Sequence, residues 1–210
     1  MISKGAAFSH MEDVVIKKKD YPSNLCMNKI GVKNVQNKQE IERLFVQYKD
    51  DIYNYLVYYT GNMDVEDIVQ DVFIKVITHF DRFENKSNRK TWLISIARHA
   101  AIDHYRKQKL KKLFSGKLLT SFLSTEKTPT EALEASEDAR ELYEAISKLK
   151  QSFREVLILR GIQRLSGAET AEILGWSLTK VNVTMHRALK QLENELNPVA
   201  KGGIQHETFS

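Results

Sequence analysis

Apolar side chains recur at helical spacing wherever the pattern is clear. Leu44, Phe45, Tyr48, Ile52, Tyr55, Leu56 and Tyr59 fall at steps of three, four and seven, which puts them on one face of a helix. Gly61 follows and predicts the stop, because glycine accepts the left-handed conformation that ends many helices. A second stripe comprises Ile68, Val69, Val72, Phe73, Val76, Ile77 and Phe80, with Asp64, Glu66 and Asp67 placed where acids favour a helix N-terminus. A third helix is predicted over 91–109, with Trp92, Leu93, Ile96, Ala97 and Ala100 on one face, so Trp92 reads as packing. Order fades after Leu110. It resumes at Thr128-Pro129-Thr130-Glu131, a capping box with proline at the first helical position. Leu133, Ala139, Leu142, Ala145 and Ile146 carry that helix to about Leu149, and Phe153, Val156, Leu157 and Leu159 mark a shorter one. No strand alternation or long repeat occurs, so the expected class is all-α, with two small helical domains joined by a flexible linker. The expected boundaries are 1–38 for a mobile N-terminal extension, 39–110, a linker 111–127, 128–197, and a tail 198–210.

Residues 166–196 predict a helix-turn-helix. Ser166 and Glu169 form a second capping box before a short helix bearing Ala171, Ile173 and Leu174. Gly175 suits the turn, and Ser177 or Thr179 can cap the next helix, whose stripe is Val181, Met185, Ala188, Leu189 and Leu192. A plain helical hairpin would share much of this pattern. As a DNA reader, the second helix would enter the major groove. Thr179, Lys180, Asn182, Val183, Thr184, Arg187 and Lys190 then lie off the apolar stripe. Asn182 can pair with adenine edges, and Val183 or a threonine methyl can meet a thymine methyl. Lys180, Arg187 and Lys190 suit phosphate, and Arg187 can also reach guanine. His186 reads as a surface residue.

Composition narrows the classes. The chain has 210 residues, 42% of them hydrophobic and 28% charged, which are ordinary globular values. One cysteine, Cys26, leaves no internal disulfide framework and no paired-cysteine zinc site. The N-terminus shows no apolar signal segment and the longest uncharged run is short and polar, so the expectation is a cytoplasmic chain with no membrane insertion. The net charge is +5, unevenly placed. Residues 39–97 carry 7 basic and 10 acidic side chains. Residues 98–112 hold Arg98, Arg106, Lys107, Lys109, Lys111 and Lys112 against Asp103 alone. Such a run suits a polyanion, or equally a helix end whose cations offset the dipole. Asp103 is at helical spacing to pair with His99 or Lys107. No HExxH, phosphate-binding loop or nucleophile elbow occurs, and no cofactor or catalytic residue is expected.

Three stretches together resemble the extracytoplasmic-function (ECF) sigma factors of the sigma-70 superfamily: DVEDIVQDVFIKVITHFDRF, RKTWLISIARHAAIDHYRKQ and SGAETAEILGWSLTKVNVTMHRALKQL. The resemblance covers about 39–196 and implies sigma region 2 and region 4 domains. It implies a promoter-specificity subunit that binds core RNA polymerase and promoter DNA, with an anti-sigma factor as the expected inhibitor. By the same resemblance, Glu66, Gln70 and Asp71 would dock on polymerase, and the loop 81–89 would capture a base of the minus-ten element. Arg98, His99, His104, Tyr105, Arg106 and Lys107 would meet phosphates and unstacked bases in the promoter-melting helix, where cations hold the backbone and rings replace lost stacking. The sequence departs from the family pattern at His99, where asparagine is common, and at Asn182 and Thr184, where basic residues often stand. The alternatives are a stand-alone helix-turn-helix regulator and, with little support, a helical hydrolase or metal enzyme.

Overall fold

The computed structural model describes residues 35–62, 64–80, 83, 88–114 and 137–197. All regular structure among them is helical: α1 (Val35–Thr60), α2 (Glu66–His79), α3 (Arg89–Phe114), α4 (Glu137–Ser147), α5 (Gln151–Leu157) running into a π-helical turn (Ile158–Ile162), α6 (Gly167–Leu174) and α7 (Leu178–Leu196). The capping box expected at Thr128, the loop residues 81–82 and 84–87, and most of the expected linker and both tails lie outside the described residues. Two boundaries differ from expectation. Helix α1 begins at Val35, ahead of the first clear stripe residue, and α3 continues to Phe114 instead of ending near Lys109. Its last turns are rich in lysine and leucine, both good helix formers, which hold the helix without an apolar stripe.

Helices α1, α2 and α3 pack on each other through the predicted stripes. Ile52, Leu56, Val72, Val76, Leu93 and Ala97 are completely buried. Each large side chain of this kind contributes about 1.5–3 kcal/mol on leaving water. Gly61 closes α1 at φ +69°, with its N–H bonded to the Val57 carbonyl at 3.0 Å. Two ion pairs fix α3 against α1: Lys90 to Asp51 at 2.9 Å and Arg89 to Glu40.

The C-terminal helices do not form a separate core. Leu142, Tyr143, Ile146, Val156, Leu157, Leu159, Ile173, Val181, Ala188 and Leu192 join the α1–α3 residues in one continuous apolar cluster. The rings of Tyr58 on α1 and Tyr143 on α4 meet at 5.6 Å. Both phenols are deeply buried, and burial raises their pKa, that of Tyr143 to about 12. The π turn admits one more residue than an α turn, so Gln163 bonds back to the Ile158 carbonyl at 2.8 Å and Leu165 to Leu159 at 3.0 Å. Arg164 then takes φ +56° to leave the helix. This exit aims the Gln163 amide at α1, where it donates to the Asp51 carbonyl at 2.9 Å.

Gly175 ends α6 at φ +64°, and a Cβ placed there would meet nothing within 4 Å. The cost of Gly175→Ala is therefore conformational only, about 1–2 kcal/mol. Urea denaturation should show that loss with an unchanged m-value; a variant as stable as the parent would refute the conformational argument.

Candidate nucleic-acid interface

The α6–turn–α7 unit is built from local chemistry. Ser166 Oγ accepts the Glu169 N–H at 3.2 Å, and a Glu169 carboxylate oxygen accepts the Ser166 N–H at 2.8 Å. These reciprocal bonds satisfy two orphan donors at the start of α6. They also hold the Glu169 carboxyl below its usual range. At the other end, Trp176 N–H bonds the Ala171 carbonyl at 3.0 Å across left-handed Gly175. Ser177, of the two expected candidates, caps α7: its hydroxyl accepts the Lys180 N–H at 3.2 Å.

Val181, Ala188 and Leu192 bury one stripe of α7 completely. The opposite face presents Thr179, Lys180, Asn182, Val183, Arg187 and Lys190 as exposed side chains, while Thr184 is half-buried. His186 is exposed, as expected. Lys180 does not point freely outward, since its ammonium lies 4.0 Å from the centre of the Trp176 ring, a cation–π contact. Sequence reasoning passed over Leu178 and Gly167. Leu178 is 51% exposed at the tip of α7, and a Cβ on Gly167 would come within 2.7 Å of its Cδ1.

The second cluster lies on α3. His99, Tyr105, Arg106 and Lys107 are exposed, Tyr105 by 65%, and His104 sits half-buried with its Nε2 2.7 Å from the Gln108 amide nitrogen. Arg98 is placed differently from its neighbours. Its Nε donates to Glu155 at 2.9 Å, and the two side chains are only 20% and 7% exposed. Asp103 pairs with Lys75 of α2 at 2.9 Å, not with His99 or Lys107. The helix-to-helix approach of α2 and α3 brings a lysine closer than the i±4 neighbours on the same helix. That hydrogen bond lowers the Asp103 pKa. Trp92 packs against Phe83 at 4.6 Å and edge-on to Phe80 at 6.5 Å, so its expected core role holds.

The third cluster is on α2. Glu66, Asp67, Gln70 and Asp71 are exposed, and Ile74, 42% exposed, continues the strip one turn on. Among the described residues no group of three or more His, Cys, Asp or Glu is arranged to hold a metal, and no helix is long and apolar enough to cross a membrane.

The family comparisons coincide with these clusters. Residues 44–111 match the Sigma-70 region 2 model, and residues 139–192 match the model for Sigma-70, region 4. Over 166 residues the chain is 37% identical to the RNA polymerase sigma factor YlaC of Bacillus subtilis, spanning 77% of this chain and 95% of that protein. It is 36% identical over 167 residues to the ECF RNA polymerase sigma factor SigX of the same organism, spanning 76% of this chain and 84% of the relative. The fold matches that of the sigma factor RpoE in complex with the anti-sigma factor NepR from Bartonella quintana, with a TM-score of 0.62, 23% identity, and coverage of 79% of this chain and 99% of that one. The protein belongs to the sigma-70 family, within its extracytoplasmic-function group. It is thus a promoter-recognising sigma factor.

Glu169 offers a pH test of the α6 cap. Its lowered folded-state pKa means that the cap's contribution is present above the unfolded value and disappears as pH falls through the folded value. The stability gap between the parent chain and Glu169→Gln should be widest near neutrality, begin to narrow near the ordinary glutamate pKa of about 4.3, and close only as pH falls through the lower folded-state value. A gap independent of pH in urea melts would remove the charged cap from the account.

Proposed function

We propose that this sigma factor assigns three tasks to its three side-chain clusters, most of whose members are exposed. Glu66, Gln70 and Asp71 on α2 dock on core RNA polymerase. Arg98, His99, His104, Tyr105, Arg106 and Lys107 on α3 engage the minus-ten region and help melt it. Thr179, Lys180, Asn182, Val183, Thr184, Arg187 and Lys190 on α7 read the minus-thirty-five element. The observation that carries this reading is the pairing, in one chain, of a doubly capped helix-turn-helix with an exposed basic and aromatic helix end upstream. A duplex-reading motif alone would serve any regulator. The exposed Tyr105 among Arg106, Lys107 and His99 instead suits single strands, where stacking is worth about 1–3 kcal/mol per base.

The chain itself performs no covalent chemistry in this reading and needs no cofactor; polymerase makes the bonds. The two functional units correspond to residues 39–110 and 128–197, and the site of action is the cytoplasm. An anti-sigma factor is the proposed inhibitor, supported by two similar folds solved with such partners: RpoE with NepR, and CnrH with the cytosolic domain of CnrY. In vitro transcription with core polymerase across a promoter library tests the whole reading. Start-site-specific transcripts that depend on this chain are expected. A footprint equally strong with and without polymerase would favour the stand-alone regulator.

Two substitutions separate the tasks. Arg187→Ala should weaken minus-thirty-five binding by about 1–3 kcal/mol on promoters with the preferred base, as read by fluorescence anisotropy. An equal loss on every sequence would make Arg187 a phosphate contact only. Asp71→Lys should lower core-polymerase affinity while leaving the circular-dichroism melt in place; unchanged affinity would take Asp71 off the docking surface.

A further inference from the structure

Six large apolar side chains are exposed among the described residues, and two of them, Leu178 and Val183, fall within the first six residues of α7. Apolar side chains scattered singly over a surface need no explanation. These two are not scattered. They stand on the end of the helix that leads into the major groove when a helix-turn-helix binds duplex DNA. Val183 already belongs to the proposed reading face, and Leu178 lies one step past the Ser177 cap, at the very tip.

The Leu178 side chain is 51% exposed, and Gly167 seats it from below. A Cβ built on Gly167 would stand 2.7 Å from Leu178 Cδ1 and 3.6 Å from Asn182 Oδ1. Carbon atoms rest at about 3.5–4.0 Å, so the bare glycine is what leaves room for the leucine tip. Its backbone does not call for glycine, since the positive-φ glycines among the described residues are Gly61 and Gly175. What Gly167 supplies is space. Leu178 and Asn182 are four residues apart and share a face of α7. The glycine notch therefore carries both as one ridge along the edge of α7 nearest α6.

An aliphatic side chain has neither donor nor acceptor. The apolar feature that base pairs display in the major groove is the C5 methyl of thymine. Against other base edges the leucine would cover polar atoms and leave them unpartnered.

We propose that Leu178 is a specificity-determining residue of this sigma factor, reading one thymine of the minus-thirty-five element through its C5 methyl, and that Gly167 is the positioning residue that seats it. The inference rests on the reading of α7 as the minus-thirty-five helix. It accounts for a leucine held half in water at a helix tip and for a glycine with ordinary backbone angles beneath it. It also gives α7 a source of selectivity that does not draw on charge, on a face where Lys180 is already engaged with the Trp176 ring.

The test uses the full chain assembled with core polymerase on a promoter recovered from the transcription library, with binding read by fluorescence anisotropy. Each thymine of the minus-thirty-five element, on either strand, is replaced in turn by deoxyuridine, which removes the methyl and keeps every hydrogen-bonding group. One replacement should weaken binding by the parent about fourfold, the effect of uncovering one methyl-sized group. Leu178→Ala should lose that one penalty and keep those of thymines met by other side chains. Leu178→Met, apolar and of similar volume, should restore it. Gly167→Ala retains the leucine but displaces its tip. That tip is flexible and exposed, so the circular-dichroism melt should not fall, while the same penalty disappears. Penalties identical in the parent and Leu178→Ala would overturn the proposal, as would a parent that feels no thymine methyl. A penalty lost in Leu178→Ala but intact in Gly167→Ala would overturn the seating role of Gly167. If Leu178→Ala fails to fold, Leu178→Gln, which keeps a stem over Gly167 and ends in an amide, takes its place in the same comparison. Scrambling the whole element tests the underlying reading separately. A parent indifferent to scrambling refutes α7 as the minus-thirty-five helix, whereas a parent that needs the element but feels no methyl refutes the role of Leu178 alone.

Discussion

One continuous apolar seam governs this molecule. Ile52, Tyr55, Leu56 and Tyr58 of α1 lie between the α2–α3 layer and the C-terminal helices, and all four are at most 1% exposed. A helix this wet at its N-terminal half and this dry beyond Ile52 needs partners on more than one side. Helices α2 and α3 supply one side, and α4, α5 and the π turn the other. The sharing of α1 therefore brings two units into contact that the family models match as separate stretches.

The polar contacts across the seam follow from that packing. Once α5 and the π turn lie on α1, Glu155 is only 7% exposed and requires a cation, and Arg98 meets it. Tyr55 and Tyr59 stand close by, and burial together with the Glu155 charge raises their phenol pKa. The π turn matters for the same reason. An uninterrupted α-helix would rotate Gln163 away from α1, and the extra residue instead delivers its amide to the Asp51 carbonyl. By contrast, the helix-turn-helix is held internally, by the Ser166–Glu169 box, left-handed Gly175 and the Ser177 cap. Its proposed base-reading face thus has a geometry set by bonds within the unit.

Much of the fold was legible before any coordinates. The stripes of α1, α2 and α7 are buried or half-buried as spaced, Gly61 and Gly175 are left-handed, and Ser166 with Glu169 caps α6. The exposed members of the candidate site on α2 and α7 also followed, since removing a stripe from a helix leaves its outer face. What helical spacing missed shares a cause. Asp103 was paired by helical spacing with neighbours on its own helix, but Lys75 reaches it from α2, 28 positions away. Lys180 lies off the stripe as its spacing implies, but its contact over the Trp176 ring came only with the structure. Arg98 was grouped with the cations of the basic run, and Glu155 was hidden inside the apolar run FREVLIL.

Sequence alone therefore determined everything whose cause spans a turn or two of helix: stripes, caps, left-handed glycines and the outward faces they leave. Those signals are local because backbone hydrogen bonds and side-chain neighbours on a helix lie within four residues. Tertiary structure alone decided which cations are free and which are held. The partners Arg98–Glu155, Thr91–Glu169 and Gln163–Asp51 are 57, 78 and 112 positions apart. No periodicity encodes such pairs, because they depend on how whole helices settle to bury their stripes, and only then does a carboxylate find its arginine.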